Sequence, residues 1–282
     1  MTQIKPLQVK NHLAGTPKAQ PHFSKKVQIK KFLNGSPEEL NLSEPNSIRA
    51  LVALMDMNAV LGGAACHYGG PAALSELWSA AHAIMFADAD KNKKQWHELY
   101  HFVNDAGHCE NGLYAIKANY QMAGLDFNSL KGFRSIESKL TGHGEAHIFP
   151  EGVYVSNGPL GSAIPQSQGL ALAEKIAGTN RTTICTLSDG AAMEGEAKEA
   201  LAAIPGLAKT GKLAPYILLI SDNNTKLSGR IDTDAFSMNA SFSSLEALGW
   251  KVIKLESGNN LEECANTISS AIAFARENPS QP

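Results

Sequence analysis

From residue 46 onward, apolar positions fall into short runs separated by glycine, asparagine and aspartate. Ile48, Leu51, Val52, Leu54, Met55 and Val60 recur at helical spacing behind Asn46 or Ser47 as N-cap, and Gly62-Gly63 closes the run. After the loop CHYGGP (66–71), a second helix is predicted over Ala73–Ala87, and the lysine-rich DADKNKKQ (88–95) reads as an exposed turn. HELYHFV (97–103) predicts a strand with its approach, followed by the loop NDAGH (104–108) and a helix over Glu110–Ala123. A glycine-rich stretch, 141–161, comes next. Beyond it the punctuation is regular: helix 162–177, strand 182–187, helix 196–209, strand 216–221, helix 243–248, strand 251–255 and helix 261–276. YILLIS (216–221) is continuously apolar, as in a strand buried on both faces of a parallel sheet. Strands alternating with helices in this way predict an α/β fold, an open, mostly parallel sheet with helices on both faces.

The first 45 residues do not share this pattern. Lysines stand at 5, 10, 18, 25, 26, 30 and 31, with no acidic residue before Glu38. The segment 1–45 reads as a basic N-terminal arm that packs over the domain or stays mobile, and 46–282 as the domain itself. It has no apolar core of the kind a secretory signal needs. The chain ends in ENPSQP directly after a helix. In this reading the domain is truncated before its last strand.

At 282 residues, 43% hydrophobic and 18% charged, the chain has the composition of an ordinary globular protein. A net charge of −2 predicts neither a nucleic-acid nor a membrane partner. Cys66, Cys109, Cys185 and Cys264 are scattered and form no C-x-x-C pair, which predicts a reducing, cytoplasmic setting.

The candidate chemistry sits at two strand ends. LSDGAAMEGE (187–196) and SDNNTKLSG (221–229) each follow an apolar strand, and ligands bind outside the carboxyl ends of strands in an open parallel sheet. Either segment alone is an ordinary turn. Together, with Asn223 following Asp189 by 34 residues and one helix and one strand between, they place hard oxygens at neighbouring strand ends. Asp189 offers a charged oxygen, the Asn223 amide a neutral one and a backbone carbonyl near Thr225 a third. Mg²⁺ takes such oxygens in an octahedral shell shared with phosphate oxygens and water.

With these motifs, and with GPLG (158–161), DGAAMEGEAKEAL (189–201), GKL (211–213) and LGWKVI (248–253) in the same order, the chain resembles the N-terminal, diphosphate-binding domain of transketolases. The resemblance implies thiamine diphosphate as cofactor, with Mg²⁺ (or Ca²⁺) held by Asp189, Asn223 and the Thr225 carbonyl. Gly158, Pro159, Leu160, Gly161, Ser188 and Gly190 would join Asn223 in contacting the cofactor. His67 in CHYGGP, His108 in NDAGHCE and His143 in GHGE match the family's histidine loops, where they would contact diphosphate and sugar and move protons. Glu194 and Glu199 would sit near a dimer interface and assist proton relay there. His143 and His147 have the spacing of zinc ligands on a helix, but the flanking glycines disfavour a helix.

The implied reaction is transfer of a two-carbon ketol unit from a ketose phosphate to an aldose phosphate. Another thiamine diphosphate enzyme (a deoxyxylulose-phosphate synthase or the E1 component of a 2-oxoacid dehydrogenase) and a non-catalytic cofactor-binding module remain the alternatives. Ser188 departs from the family's first motif glycine, and Tyr68 from the proline of the first histidine loop. The family's activating glutamate lies on a separate pyrimidine-binding domain across a subunit interface. The expectation is therefore half an active site, inactive alone and completed by further transketolase domains or a second subunit within a homodimeric assembly.

Overall fold

The computed structural model describes residues 11–282. Its centre is a three-stranded parallel sheet of β3 (Tyr100–Asn104), β4 (Thr182–Ser188) and β5 (Tyr216–Ser221), in that spatial order. Two further strands, β1 (Ser24–Ile29) and β2 (Glu38–Ser43), pair antiparallel outside it. The main helices are α1 (Pro45–Leu61), α2 (Ser75–Asn92), α3 (Glu110–Asn119), α4 (Ala163–Ala177), α5 (Gly195–Lys209) and α6 (Leu261–Glu277).

The period-two rule divides the sheet between two apolar clusters. Phe102, Ile184, Ile217 and Leu219 face one cluster, with α1, α2, α3 and α6. Val103, Cys185, Leu187 and Tyr216 face the other, with α4 and α5. Both faces are covered, as the apolar strands require. The α/β reading of the sequence therefore holds.

Three local expectations are corrected. DADKN does not form a turn: α2 continues through Asn92 because Asp88 is buried, accepting from the Tyr100 hydroxyl at 2.6 Å and from Arg276 at 2.8 Å. Lys93, at φ 54°, closes the helix instead. Helix α3 stops at Asn119, earlier than Ala123, because Gln121, Ala123 and Gly124 turn left-handed. The segment 251–255 has a strand pattern but joins no sheet. Its Lys251 amide donates to the Pro282 carbonyl at 2.8 Å, while Trp250 is tied by its indole N–H to the Leu201 carbonyl at 2.8 Å. An apolar alternation specifies faces, not a pairing partner.

In the basic arm, residues 1–10 lie outside the described region. On β1 the lysines Lys25 and Lys26 stay exposed while Val27 and Ile29 turn into the main core with Leu42 and Phe32. That part of the arm packs on the domain. Among the described residues, no helix is long and apolar enough to cross a membrane.

Two buried histidines make this core acid-sensitive. Burial pushes His82 down to about 4 while its Nδ1 pairs with the Trp78 carbonyl. Burial, with the neighbouring Arg181 guanidinium, also pushes His101 down to about 4. As pH falls through the ordinary histidine range, the unfolded chain takes up these two protons before the folded one does. Asp105, raised to about 6 by burial, opposes them with one. The unfolding temperature should fall as pH is lowered from 6.5 to 4, because His108, also held near 4, adds to His82 and His101 and the three outweigh Asp105. Calorimetric scans across that window check it, and a flat profile would contradict it.

Candidate active site

The carboxyl ends of β3, β4 and β5 end side by side, and each carries a polar loop. At β4, the Asp189 amide donates to the Ser221 carbonyl at 3.0 Å, continuing the ladder one step past the strands. The Asp189 side chain is buried and accepts from the amides of Gly190, at 2.9 Å, and Asn224. Asn224 adopts φ 55°, the left-handed region that asparagine tolerates, so that its amide can turn towards the carboxylate. Asp189 thereby laces the two predicted motifs into one loop pair.

Thr225 lies next to them. A methyl group added at Gly190 would come within 3.7 Å of the Thr225 carbonyl oxygen. Asn223 accepts from the Thr225 amide through Oδ1 at 2.9 Å, and its carbonyl accepts from the Thr225 hydroxyl at 3.1 Å. Ser188, in the place of a glycine, caps the following turn by accepting from the Ala191 amide at 3.1 Å.

This donor set fits a hard divalent cation. Burial raises the Asp189 pKa, and the nearby Asp222 adds to the rise, while the backbone amides oppose it. Among the described residues, no lysine, arginine or histidine pairs with Asp189. A buried carboxylate held only by amides lacks the counter-charge that a divalent cation would supply. Among the described residues, no cluster of three or more His, Cys, Asp or Glu side chains could hold a metal. His147 is 74% exposed and approaches only Glu145.

At the end of β3, Asp105 is fully buried and accepts from the Gly161 amide at 2.9 Å and the Ala163 amide at 3.0 Å. It thus anchors the GPLG loop and the first turn of α4. Gly161 needs to be glycine twice over: its φ is +85°, and a Cβ there would meet the Glu194 side chain at 2.7 Å. Gly158 and Pro159 are exposed, Leu160 is half-buried, and a Cβ added at Gly158 would meet nothing within 4 Å.

The histidine loops meet around β3. The rings of His67 and His108 pack edge to face with centroids 4.8 Å apart. Burial pushes His108 down to about 4, with His67 and His143 as further lowering influences. Burial lowers His67 as well, followed by the charges of Arg134 and His143. His143 thus lies in the same electrostatic neighbourhood, and Thr141 holds its carbonyl at 2.6 Å. Glu194 and Glu199 are exposed on α5 and its approach.

Several polar residues of the site escaped the sequence reading: Asn104, Asp105, Glu110, Asn157 and Arg134. A signal existed for the first two. Asn-Asp directly after an apolar strand is the same kind of strand-end pattern as SDG and DNN.

Over residues 44–282 the chain matches the family described as transketolase, thiamine diphosphate binding domain. It is 34% identical over 200 residues to the transketolase of Geobacillus stearothermophilus, covering 67% of this chain and 28% of that protein. To the transketolase of Bacillus subtilis it is 36% identical over 200 residues, covering 66% of this chain and 28% of that protein. Among solved structures it is similar to transketolase from Leishmania mexicana, with TM-score 0.65 and 26% identity over 86% of this chain and 36% of that one. It is also similar to transketolase from Campylobacter jejuni, with TM-score 0.65 and 27% identity over 80% of this chain and 34% of that one. The chain thus spans little more than a quarter of the length of these two sequence relatives.

Replacing Asp105 with alanine strands two amides at the start of α4. Asp105→Ala should cost about 2–3 kcal/mol in urea unfolding. It should also open the 157–163 segment to proteolysis before the rest of the chain, and unchanged cleavage there would contradict the anchoring role.

Proposed function

Because the chain belongs to the transketolase thiamine diphosphate binding domain family, we propose that it anchors thiamine diphosphate through Mg²⁺ or Ca²⁺ held by Asp189, Asn223 and the Thr225 carbonyl. We propose further that it serves transfer of a two-carbon ketol unit from a ketose phosphate to an aldose phosphate. The observation that carries this reading is Asp189, a buried carboxylate bonded to both motif loops and, among the described residues, without a cationic partner.

Bound thiamine diphosphate supplies the carbanion-stabilising chemistry of such a transfer. The residues of this chain bind, orient and move protons. Gly158, Pro159, Leu160 and Gly161 would form the loop contacting the cofactor, and Ser188 and Gly190 would let its diphosphate approach the backbone. His67 and His108, both lowered from the ordinary histidine pKa by burial, are neutral at neutral pH. In that state each imidazole donates one hydrogen bond and accepts another, which suits contacts to sugar hydroxyls and proton transfer between them. His143 completes the group. Glu194 and Glu199, exposed on one side of the site, face a subunit interface in this reading.

The chain matches only part of its relatives' length, so the activating glutamate is assigned to a pyrimidine-binding domain supplied by further domains or a second subunit, within an assembly containing two copies of this chain. We infer that these 282 residues hold at most half of the active site. Four free cysteines, three of them buried, suit a reducing cytoplasmic setting.

The test uses the intact native assembly. Thiamine diphosphate should bind only with Mg²⁺ or Ca²⁺, and Asp189→Asn should weaken that binding at least about 10–100-fold. Xylulose 5-phosphate with ribose 5-phosphate should be consumed, and pyruvate should not. Metal-independent binding, or pyruvate turnover without ketol transfer, would overturn the proposal.

A further inference from the structure

A buried ion pair lies directly beneath the histidine loops. Glu110 and Lys117 stand on α3, are 2% and 7% exposed, and are joined through Oε1 at 3.3 Å. A buried pair of this kind is a weak source of stability, since desolvation offsets much of its attraction. Its second carboxylate oxygen points to another purpose. Glu110 Oε2 accepts from the amide groups of both Asn104, at 3.2 Å, and Asn157, at 3.1 Å.

Each asparagine holds a histidine loop. Asn104 donates to the Ala106 carbonyl at 3.0 Å and accepts from the Ala106 amide at 3.2 Å, two residues before His108. Asn157 accepts through Oδ1 from the Gly144 amide at 2.7 Å, one residue after His143, and donates to the Asn104 carbonyl at 3.0 Å. The backbones of Gly107 and Asn157 also touch, since a Cβ at Gly107 would collide with the Asn157 carbonyl. One carboxylate oxygen therefore sets the spacing of two loops far apart in sequence.

We propose that Glu110 is a positioning residue that fixes His108 and His143 relative to each other through Asn104 and Asn157. The pair is a scaffold for the imidazoles and touches no reactant. The inference builds on the proposed reaction, but the positioning exists without cofactor or substrate and can be measured without them.

A cavity of about 40 Å³, lined by Glu110, Lys117, His82, Asn104, Asn157 and Tyr154, adjoins the pair, so an apolar replacement has room to settle. Glu110→Leu/Lys117→Met removes both charges and the shared acceptor. Glu110→Gln/Lys117→Met removes both charges but keeps an amide oxygen for the two asparagines. Histidine side-chain NMR on the full chain reads the outcome. In the apolar pair the His108 pKa should rise by about one unit from its position near 4, and the close contact between the His67 and His108 rings should weaken. The glutamine variant should keep both near their original state. In the complete assembly the apolar pair should lower kcat about 10²-fold with little change in cofactor affinity.

An apolar pair that folds with an unchanged His108 titration would overturn the proposal, as would a glutamine variant that shifts it equally. If the apolar pair does not fold, Asn104→Ser/Asn157→Ser breaks the links to both loops while sparing the ion pair, and an unchanged titration there also overturns it. Absence of ketol transfer in the wild type, with the His108 titration behaving as expected, would count against the reaction alone.

Discussion

Three carboxylates buried at the carboxyl end of one small sheet govern the arrangement of everything around it. Asp105, Asp189 and Glu110 are each almost wholly removed from water. A buried charge left unpaired is costly, so each must be met by donors. The donors are the backbone amides of Gly161 and Ala163 for Asp105, those of Gly190 and Asn224 for Asp189, and the side chains of Asn104, Asn157 and Lys117 for Glu110. The need to satisfy these groups closes the loops over the strand ends. Loop position is then a consequence of electrostatics acting on a rigid parallel sheet.

The sheet can bear this because it is packed on both sides. Residues of β3, β4 and β5 alternate between two apolar clusters, so each strand is held from above and below. The central helix α2 is buried nearly all round, carrying Trp78, Ile84 and Met85 into the same core. Two buried carboxylates within that core are paired: Arg49 meets Glu76 at 2.6 Å, and Arg276 meets Asp88 at 2.8 Å. The polar floor of the site is built on an apolar frame that leaves it little freedom to shift.

Two kinds of environment follow at neighbouring strand ends. Around Asp189 the groups present oxygen and await positive charge. Around His67 and His108, burial removes positive charge and keeps the imidazoles neutral. A ligand with an anionic, metal-binding end and a polar, uncharged reacting end suits that division. The division arises from depth of burial at neighbouring strand ends.

Much of this was legible in the sequence. The continuous apolar run of YILLIS could only be a strand covered on both faces, and β5 is one. Asp189 and Asn223 were marked because strand-end carboxylates and amides share one edge of a parallel sheet, and the structure brings their loops into direct contact. Periodicity of side chains dictates faces, and faces dictate layers. What periodicity leaves open is pairing and depth. The alternation of residues 251–255 gave no sign that their backbone would stay outside the sheet. Nothing local marked Asp88 as buried, so the continuation of α2 through Asn92 depended on Tyr100 and Arg276 arriving from elsewhere. The clamp of Glu110 on Asn104 and Asn157 spans 6 and 47 residues of chain. Such a contact is invisible to local pattern, because hydrogen-bond partners distant in sequence are chosen only when the packed core sets the distances between them.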